Sequence, residues 1–292
     1  MSITVEALHP AIGARVTGLD LREPQPDATI AAIEDAINRH AVLVFPGQSI
    51  TDAQQLEFSA RFGTLETTVR AYRSDFVPRL DLRIADISNL DHNNQVRTND
   101  DRLRLNALGN RLWHSDSSFK RVPARYSLLS ARVIPSEGGE TQFADMRAAW
   151  DALPDKMKAQ LEGLVCEHTQ LFSRARIGFT DWSEEERAKM APVPQVLVRT
   201  HPGSGRKSLY LSSHAGRIRG MPAPEALMLL LDLNEHATQP QFVYSHRWTV
   251  GDLVMWDNRC TMHRARAYDE TQVRDMHRTT VSDGVPTVQE AA

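Results

Sequence analysis

The stretch Trp113-His114-Ser115-Asp116-Ser117-Ser118-Phe119 sets an imidazole and a carboxylate two residues apart. On an extended strand residues i and i+2 project to the same face, so His114 and Asp116 can reach one metal ion together. A lone His-x-Asp is also an ordinary surface pair, and a third ligand must come from elsewhere. Trp256-Asp257-Asn258-Arg259-Cys260-Thr261-Met262-His263 offers His263 at a suitable place. Two imidazoles and one carboxylate with open positions beside them form the facial triad of non-haem iron(II) oxygenases, in which a cosubstrate and dioxygen bind side by side. A zinc hydrolase using the same ligands is the competing chemistry.

Working outward, Arg274 and Arg278 lie 11 and 15 residues beyond His263, and on a strand positions 274, 276 and 278 share one face. Guanidinium groups on an inward face need anionic partners, because an unpaired buried charge is costly. A dicarboxylate cosubstrate on one arginine and a substrate carboxylate on the other would meet that need. Pairing with acids of the fold, or exposure to solvent, is the alternative at this stage.

The surrounding pattern is that of a sheet protein. Residues 3–20 read as two short strands around a glycine turn, and Ala41-Val42-Leu43-Val44-Phe45 reads as a buried strand. Further strands are expected at Leu80–Ser88, Tyr126–Ile134, Thr141–Phe143, Val196–His201, Ser208–Leu211, Gln241–Trp248, Asp252–Trp256 and Arg274–Val281. Helical spacing marks Asp27–His40 with Asp27 as N-cap, Thr51–Phe62, Met146–Leu153, Pro154–Leu164 and Pro224–Thr238. Helices cluster instead of alternating with strands, so the expected class is mainly β with flanking helices (α+β), a sandwich or barrel forming one domain over residues 1–292. The irregular stretch of about 66–111, most polar between Asp91 and Arg104, precedes the His-x-Asp segment and is expected to be a lid.

Composition excludes several classes. A hydrophobic content of 41% and a charged content of 24% are those of a globular chain, and the net charge of -3 supplies no basic field for nucleic acid or anionic membrane. No apolar run approaches membrane-spanning length and no secretory leader is visible, so a cytoplasmic protein is expected. Cys166 and Cys260 make no disulfide framework and are expected to be buried thiols.

Together the heptad, Gly138-Gly139-Glu140-Thr141, Trp256-Asp257-Asn258-Arg259 with His263, and the two arginines resemble the iron(II)- and 2-oxoglutarate-dependent dioxygenases of the taurine dioxygenase superfamily. The resemblance runs from about Ile12 to Asp283. Ala85-Asp86-Ile87-Ser88-Asn89, Asp145-Met146-Arg147-Ala148-Ala149 and Glu235-His236-Ala237-Thr238-Gln239 are most similar to its 2,4-dichlorophenoxyacetate dioxygenases. It implies a double-stranded β-helix, or jelly roll, with iron(II) held by His114, Asp116 and His263. Thr141 and Arg274 match the positions that bind the distal carboxylate of 2-oxoglutarate, and Arg278 the one that binds the substrate's acidic group. The implied reaction consumes dioxygen, hydroxylates the carbon next to the ether oxygen of an aryloxyalkanoate, and ends in a phenol, glyoxylate, succinate and carbon dioxide. Other small carboxylates or sulfonates, and a non-catalytic jelly-roll binding protein, are the alternatives.

The expected partner is thus a small aromatic carboxylate, with neither nucleic acid nor membrane, in a homo-oligomer. His201 at a strand end, Asn89 leading into the polar stretch and Ser117 beside the ligands are further candidates for substrate contact. Trp113 and Trp256 are expected to pack around the ligands, and Asn258 is a candidate for orienting one.

Overall fold

The computed structural model describes residues 3–68 and 77–289. A seven-stranded sheet forms its centre. Across the sheet run Thr4–Ala7, Ala14–Thr17, Val42–Phe45, Leu253–Asp257, Ala124–Val133, Asp275–Ser282 and Ile84–Asp86. Every neighbouring pair is antiparallel except the one joining Ala14–Thr17 to Val42–Phe45. A three-stranded antiparallel sheet has Thr141–Asp145 between Val243–His246 and Thr261–Ala265. A second three-stranded sheet gathers Val165–His168 with Val193–Val196 and Ala215–Ile218, and a two-stranded one pairs Val198–Thr200 with Lys207–Leu209.

Alternation along the central strands separates two cores. Val42, Val44, Leu129, Ala131, Val254, Trp256 and Met276 pack with Phe143 of the three-stranded sheet. Their neighbours Leu43, Phe45, Tyr126, Leu128, Leu253 and Met255 pack on the opposite face against Ile30, Ile33 and Ile37 of helix Asp27–His40 and Phe58 of helix Asp52–Ala60. Burial on both faces explains why Val42–Phe45 and residues 253–256 read as unbroken apolar runs. A third core lies under helix Ala223–Ala237, where Ala226, Leu230 and Leu233 meet Trp150, Leu209, Leu211 and Met262.

Several expectations are corrected in detail. Pro26, not Asp27, occupies the N-cap; Asp27 is the first helical residue, and its carboxylate accepts from Arg61 at 2.5 Å. Thr51 caps the helix Asp52–Ala60 in a reciprocal box with Gln54. On the last long helix Leu227 and Leu231 turn outward, 41% and 48% exposed, while Leu229, Leu230 and Leu233 pack on the core. The heptad is no regular strand: His114 forms a single antiparallel bridge with His263, and Asp116 opens a turn that Lys120 N–H closes on Ser117 O at 2.9 Å. The stretch 66–111 contains a helix at Arg102–Ala107 and a 3-10 turn at Leu108–Arg111; positions 69–76 of it lie outside the described residues. Among the described residues no helix is long and apolar enough to cross a membrane.

Candidate metal centre and its two cavities

His263 stands on the Thr261–Ala265 strand beside Phe143, and Trp256 packs 4.7 Å from its ring. Two backbone hydrogen bonds, His114 N–H to His263 O at 3.0 Å and His263 N–H to His114 O at 2.8 Å, bring the imidazoles together. Ser115 turns its hydroxyl the other way, onto Thr261 O at 2.8 Å, so His114 and Asp116 share the inner face although the segment is not a strand. The Asp116 oxygens lie 3.9 Å from His114 Nε2 and 3.7 Å from His263 Nε2. All three side chains are buried, with ligand atoms within 4.8 Å of one another.

A dense set of hydrogen bonds fixes the carboxylate. Ser127 Oγ donates to Asp116 Oδ2 at 2.7 Å, Asn258 Nδ2 donates to Ser127 Oγ at 2.9 Å, and Asn258 Oδ1 accepts from Asp116 N–H at 3.0 Å and Trp256 Nε1 at 3.1 Å. Arg278 Nη1 donates to Asp116 Oδ1 at 2.5 Å. Burial alone would raise the Asp116 pKa, but Arg278, the two imidazoles and Ser127 outweigh it and hold it at about 2. Burial lowers both histidines, His263 well below the ordinary imidazole value. At neutral pH the cluster therefore holds two neutral imidazoles and a carboxylate, the protonation states a divalent metal requires. His114 Nδ1 lies 2.8 Å from Leu112 O, which fixes the tautomer leaving Nε2 as an electron-pair donor toward Asp116. The donor set fits a divalent iron.

Two cavities meet at this cluster. The smaller, about 110 Å³, is lined by Thr141, Arg274, Tyr268, His114 and His263. Trp248 Nε1 donates to Thr141 Oγ1 at 3.1 Å, so the threonine keeps its own proton for a ligand. Arg274 is 5% exposed; its nearest acceptors are the carbonyls of Ile87 at 3.4 Å and Gly139 at 3.5 Å, and the Tyr268 ring lies 5.7 Å away. Among the described residues no carboxylate pairs with it, and burial lowers its pKa to about 10. The larger cavity, about 1100 Å³, reaches from His114, Asp116 and Arg278 past Phe119 and His214 to Trp182. Arg278 borders both.

Three expected substrate contacts fall out differently. His201 is fully buried outside both cavities, with Nε2 on Asp257 Oδ2 at 2.8 Å and Nδ1 accepting from Ser204 N–H at 3.1 Å; it belongs to the packing behind Asp257, which Arg259 also grips. Asn89 touches the smaller cavity, but its amide is spent on Glu270 O, Gln272 O and Arg274 N–H, bracing the Arg274 backbone. Ser117 lines the larger cavity and donates to Glu66 Oε2 at 2.7 Å. His214 was not anticipated: its ring lies 4.9 Å from Phe119 and 5.9 Å from His114, with Nδ1 2.9 Å from Ser173 Oγ. Burial lowers its pKa well below that of a free imidazole, so it presents a neutral ring to the cavity.

The family model described as taurine catabolism dioxygenase TauD, TfdA family matches residues 4–280. The chain belongs to this family. An alpha-ketoglutarate-dependent 2,4-dichlorophenoxyacetate dioxygenase of Cupriavidus pinatubonensis is 47% identical over 97% of this chain and 99% of its own. An (S)-phenoxypropionate/alpha-ketoglutarate-dioxygenase of Sphingobium herbicidovorans is 39% identical over 93% of this chain and 92% of its own. The structure of AAD-2 in complex with Mn(II) and N-oxalylglycine superposes with a TM-score of 0.92 at 51% identity, covering 99% of this chain and 100% of that one. The TauD/TfdA member described here is thus a 2-oxoglutarate-dependent dioxygenase, an oxidoreductase in which the His114, Asp116 and His263 cluster is the candidate iron centre.

Proposed function

We propose that this TauD/TfdA dioxygenase hydroxylates the carbon next to the ether oxygen of an aryloxyalkanoate such as 2,4-dichlorophenoxyacetate. His114, Asp116 and His263 hold iron(II), Thr141 and Arg274 take the distal carboxylate of 2-oxoglutarate, and Arg278 anchors the substrate carboxylate. The fold is read as a double-stranded β-helix over residues 1–292, with about 66–111 as the lid. The observation that carries the reading is Arg274, a buried cation without a carboxylate partner among the described residues, in a small cavity beside the metal cluster. A carboxylate ligand supplies what that cavity lacks. The 2,4-dichlorophenoxyacetate and phenoxypropionate specificities of the relatives support the aryl ether.

When bound, iron(II) with dioxygen and 2-oxoglutarate supplies the oxidant that replaces a C–H bond by C–OH, with 2-oxoglutarate leaving as succinate and carbon dioxide. Arg278, bordering both cavities, holds the substrate carboxylate so that the adjacent carbon faces the cluster. Phe119 and the neutral His214 ring offer apolar and polar edges to an aryl group. The hydroxylated product is a hemiacetal of a phenol. Loss of its hydroxyl proton forms the glyoxylate carbonyl as the aryl–oxygen group leaves and is protonated to the phenol.

The test is succinate release across a panel of phenoxyacetates, other small carboxylates and sulfonates. Turnover is expected with phenoxyacetates and strictly with iron(II), and abolished by His114→Ala in a folded protein. No turnover with any phenoxyacetate, or full activity in His114→Ala, refutes the assignment.

A further inference from the structure

Glu66 stands between the two elements that carry Asp116 and Arg278. Its backbone N–H donates to Thr280 O at 2.8 Å, and Leu65 bridges Val281, so the residue is fastened to the strand of Arg278. Its side chain, 10% exposed, reaches the other element: Oε2 accepts from Ser117 Oγ at 2.7 Å and from Lys120 Nζ at 2.6 Å. Those donors begin and end the turn that follows Asp116. Ser117 has φ 52°, a left-handed conformation costing a non-glycine residue about 1–3 kcal/mol unless the surroundings hold it. Hydrogen bonds to an ionised acceptor are worth about 1.5–3 kcal/mol each, enough to hold it.

Resting on the iron-site reading above, we propose that Glu66 is a positioning residue that sets Asp116 for the metal by pinning the Ser117 turn to the Arg278 strand. Ser127 and Asn258 fix the carboxylate and the backbone N–H of Asp116. Neither restrains Ser117. Gln195 Nε2 holds the far side of the turn, donating to Ser118 O at 2.9 Å and Lys120 O at 2.8 Å, and Glu66 ties its Ser117 side to the Arg278 strand. Its second oxygen, Oε1, is buried without a hydrogen-bond partner, and the residue lines the larger cavity. A buried carboxylate with one oxygen unspent is a poor choice for packing alone.

The probe is Mn(II), titrated into the metal-free full chain without 2-oxoglutarate, with thermal unfolding of the same samples as control. Glu66→Ala is expected to weaken Mn(II) binding about 10–100-fold, the usual effect of losing a residue that orients a ligand. Glu66→Gln, whose amide oxygen still accepts from Ser117 and Lys120, should stay within about threefold, since a neutral acceptor keeps part of each bond. If Glu66→Ala does not fold, Ser117→Ala removes only the hydroxyl end of the contact and should weaken binding about 10-fold. Wild-type Mn(II) affinity in the alanine variants, or a loss of thermal stability with affinity unchanged, overturns the proposal. Failure of the wild type itself to bind Mn(II), or binding undiminished in His114→Ala, refutes the metal site instead, which separates the two failures.

Discussion

Arg274→Met is expected to stabilise the ligand-free chain while disabling the enzyme. The guanidinium is 5% exposed, its carbonyl contacts are long at 3.4 and 3.5 Å, and no acidic side chain among the described residues pairs with it. Burial lowers its pKa to about 10. That is two or more pH units under a free arginine, and at about 1.4 kcal/mol for each unit the cost is roughly 3 kcal/mol. At neutral pH the proton is held in both the folded and the unfolded chain, so this cost is present in full. Methionine fills most of the volume without the charge, and such replacements gain about 1–4 kcal/mol. Lost contacts to Ile87 and Gly139 reduce the expectation to about 1–3 kcal/mol, or several degrees in Tm at roughly 2–4 °C per kcal/mol. Adding N-oxalylglycine with Mn(II) should reverse the order: the wild type gains about 2.7 kcal/mol at a hundredfold excess over Kd, and the variant gains little. Removing one partner of a buried charge pair costs about 2–5 kcal/mol, so kcat/KM for 2-oxoglutarate should fall at least 30-fold. The assays are circular-dichroism melts with and without ligand, and succinate release. A variant less stable than wild type when ligand-free, or one that keeps the wild-type ligand-induced Tm rise, would show that Arg274 is already compensated by the fold.

Other expectations rest on single contacts. Ser127→Ala removes the donor to Asp116 Oδ2 and strands the Asn258 amide; Mn(II) affinity should fall about 10-fold or more, and equal affinity by titration would exclude an orienting role for Ser127. His277 sits between Asp52, 2.6 Å from Nδ1, and Asp275, 3.3 Å from Nε2. Burial alone would lower its pKa, but the two carboxylates raise it above the ordinary imidazole value. A raised folded pKa gives stability that is complete below the unfolded value of about 6.5 and lost as pH rises through the folded value. Urea melts of wild type should therefore weaken across that window, and His277→Gln should flatten the change; parallel profiles would contradict it. Burial pushes the Cys166 thiol up to about 12 and Cys260 upward as well, so a thiol reagent should label neither in the native protein and both in urea.

Part of the fold was legible because Ala41–Phe45 and residues 253–256 are buried on both faces and therefore write themselves as continuous apolar runs. The metal cluster was legible for a different reason. His114 and Asp116 are close in sequence, and the inference that they share a face survived the finding that their segment is a bridge and a turn. What escaped depended on distant partners. Nothing near His201 says that its ring turns to Asp257, and nothing near Asn89 says that its amide is consumed by the backbone of 270–274. His214 carries no local pattern at all; it joins the cavity through Ser173 and Phe119, 41 and 95 positions earlier in the chain.

The same distinction separates the reaction from its selectivity. Thr141, His263 and Arg278 stand on strands, Arg274 directly precedes one, and Asn89 and Trp248 brace the smaller cavity. Their spacing is set by sheet register, which tolerates no drift, because a slip of one residue turns each side chain to the other face. The cavity of about 1100 Å³ is walled mostly by pieces outside the seven-stranded sheet and the sheet of Thr141–Asp145: residues 66–68, 102–110, 119–122, 169–174 and 181–193. Loops accept insertions and substitutions that strands do not. A rigid sheet-borne centre facing a chamber of loops and short helices can therefore keep one oxidation while changing the molecule it oxidises. In this chain Glu66, bonded to a strand at one end and to the ligand turn at the other, is where the two halves are joined.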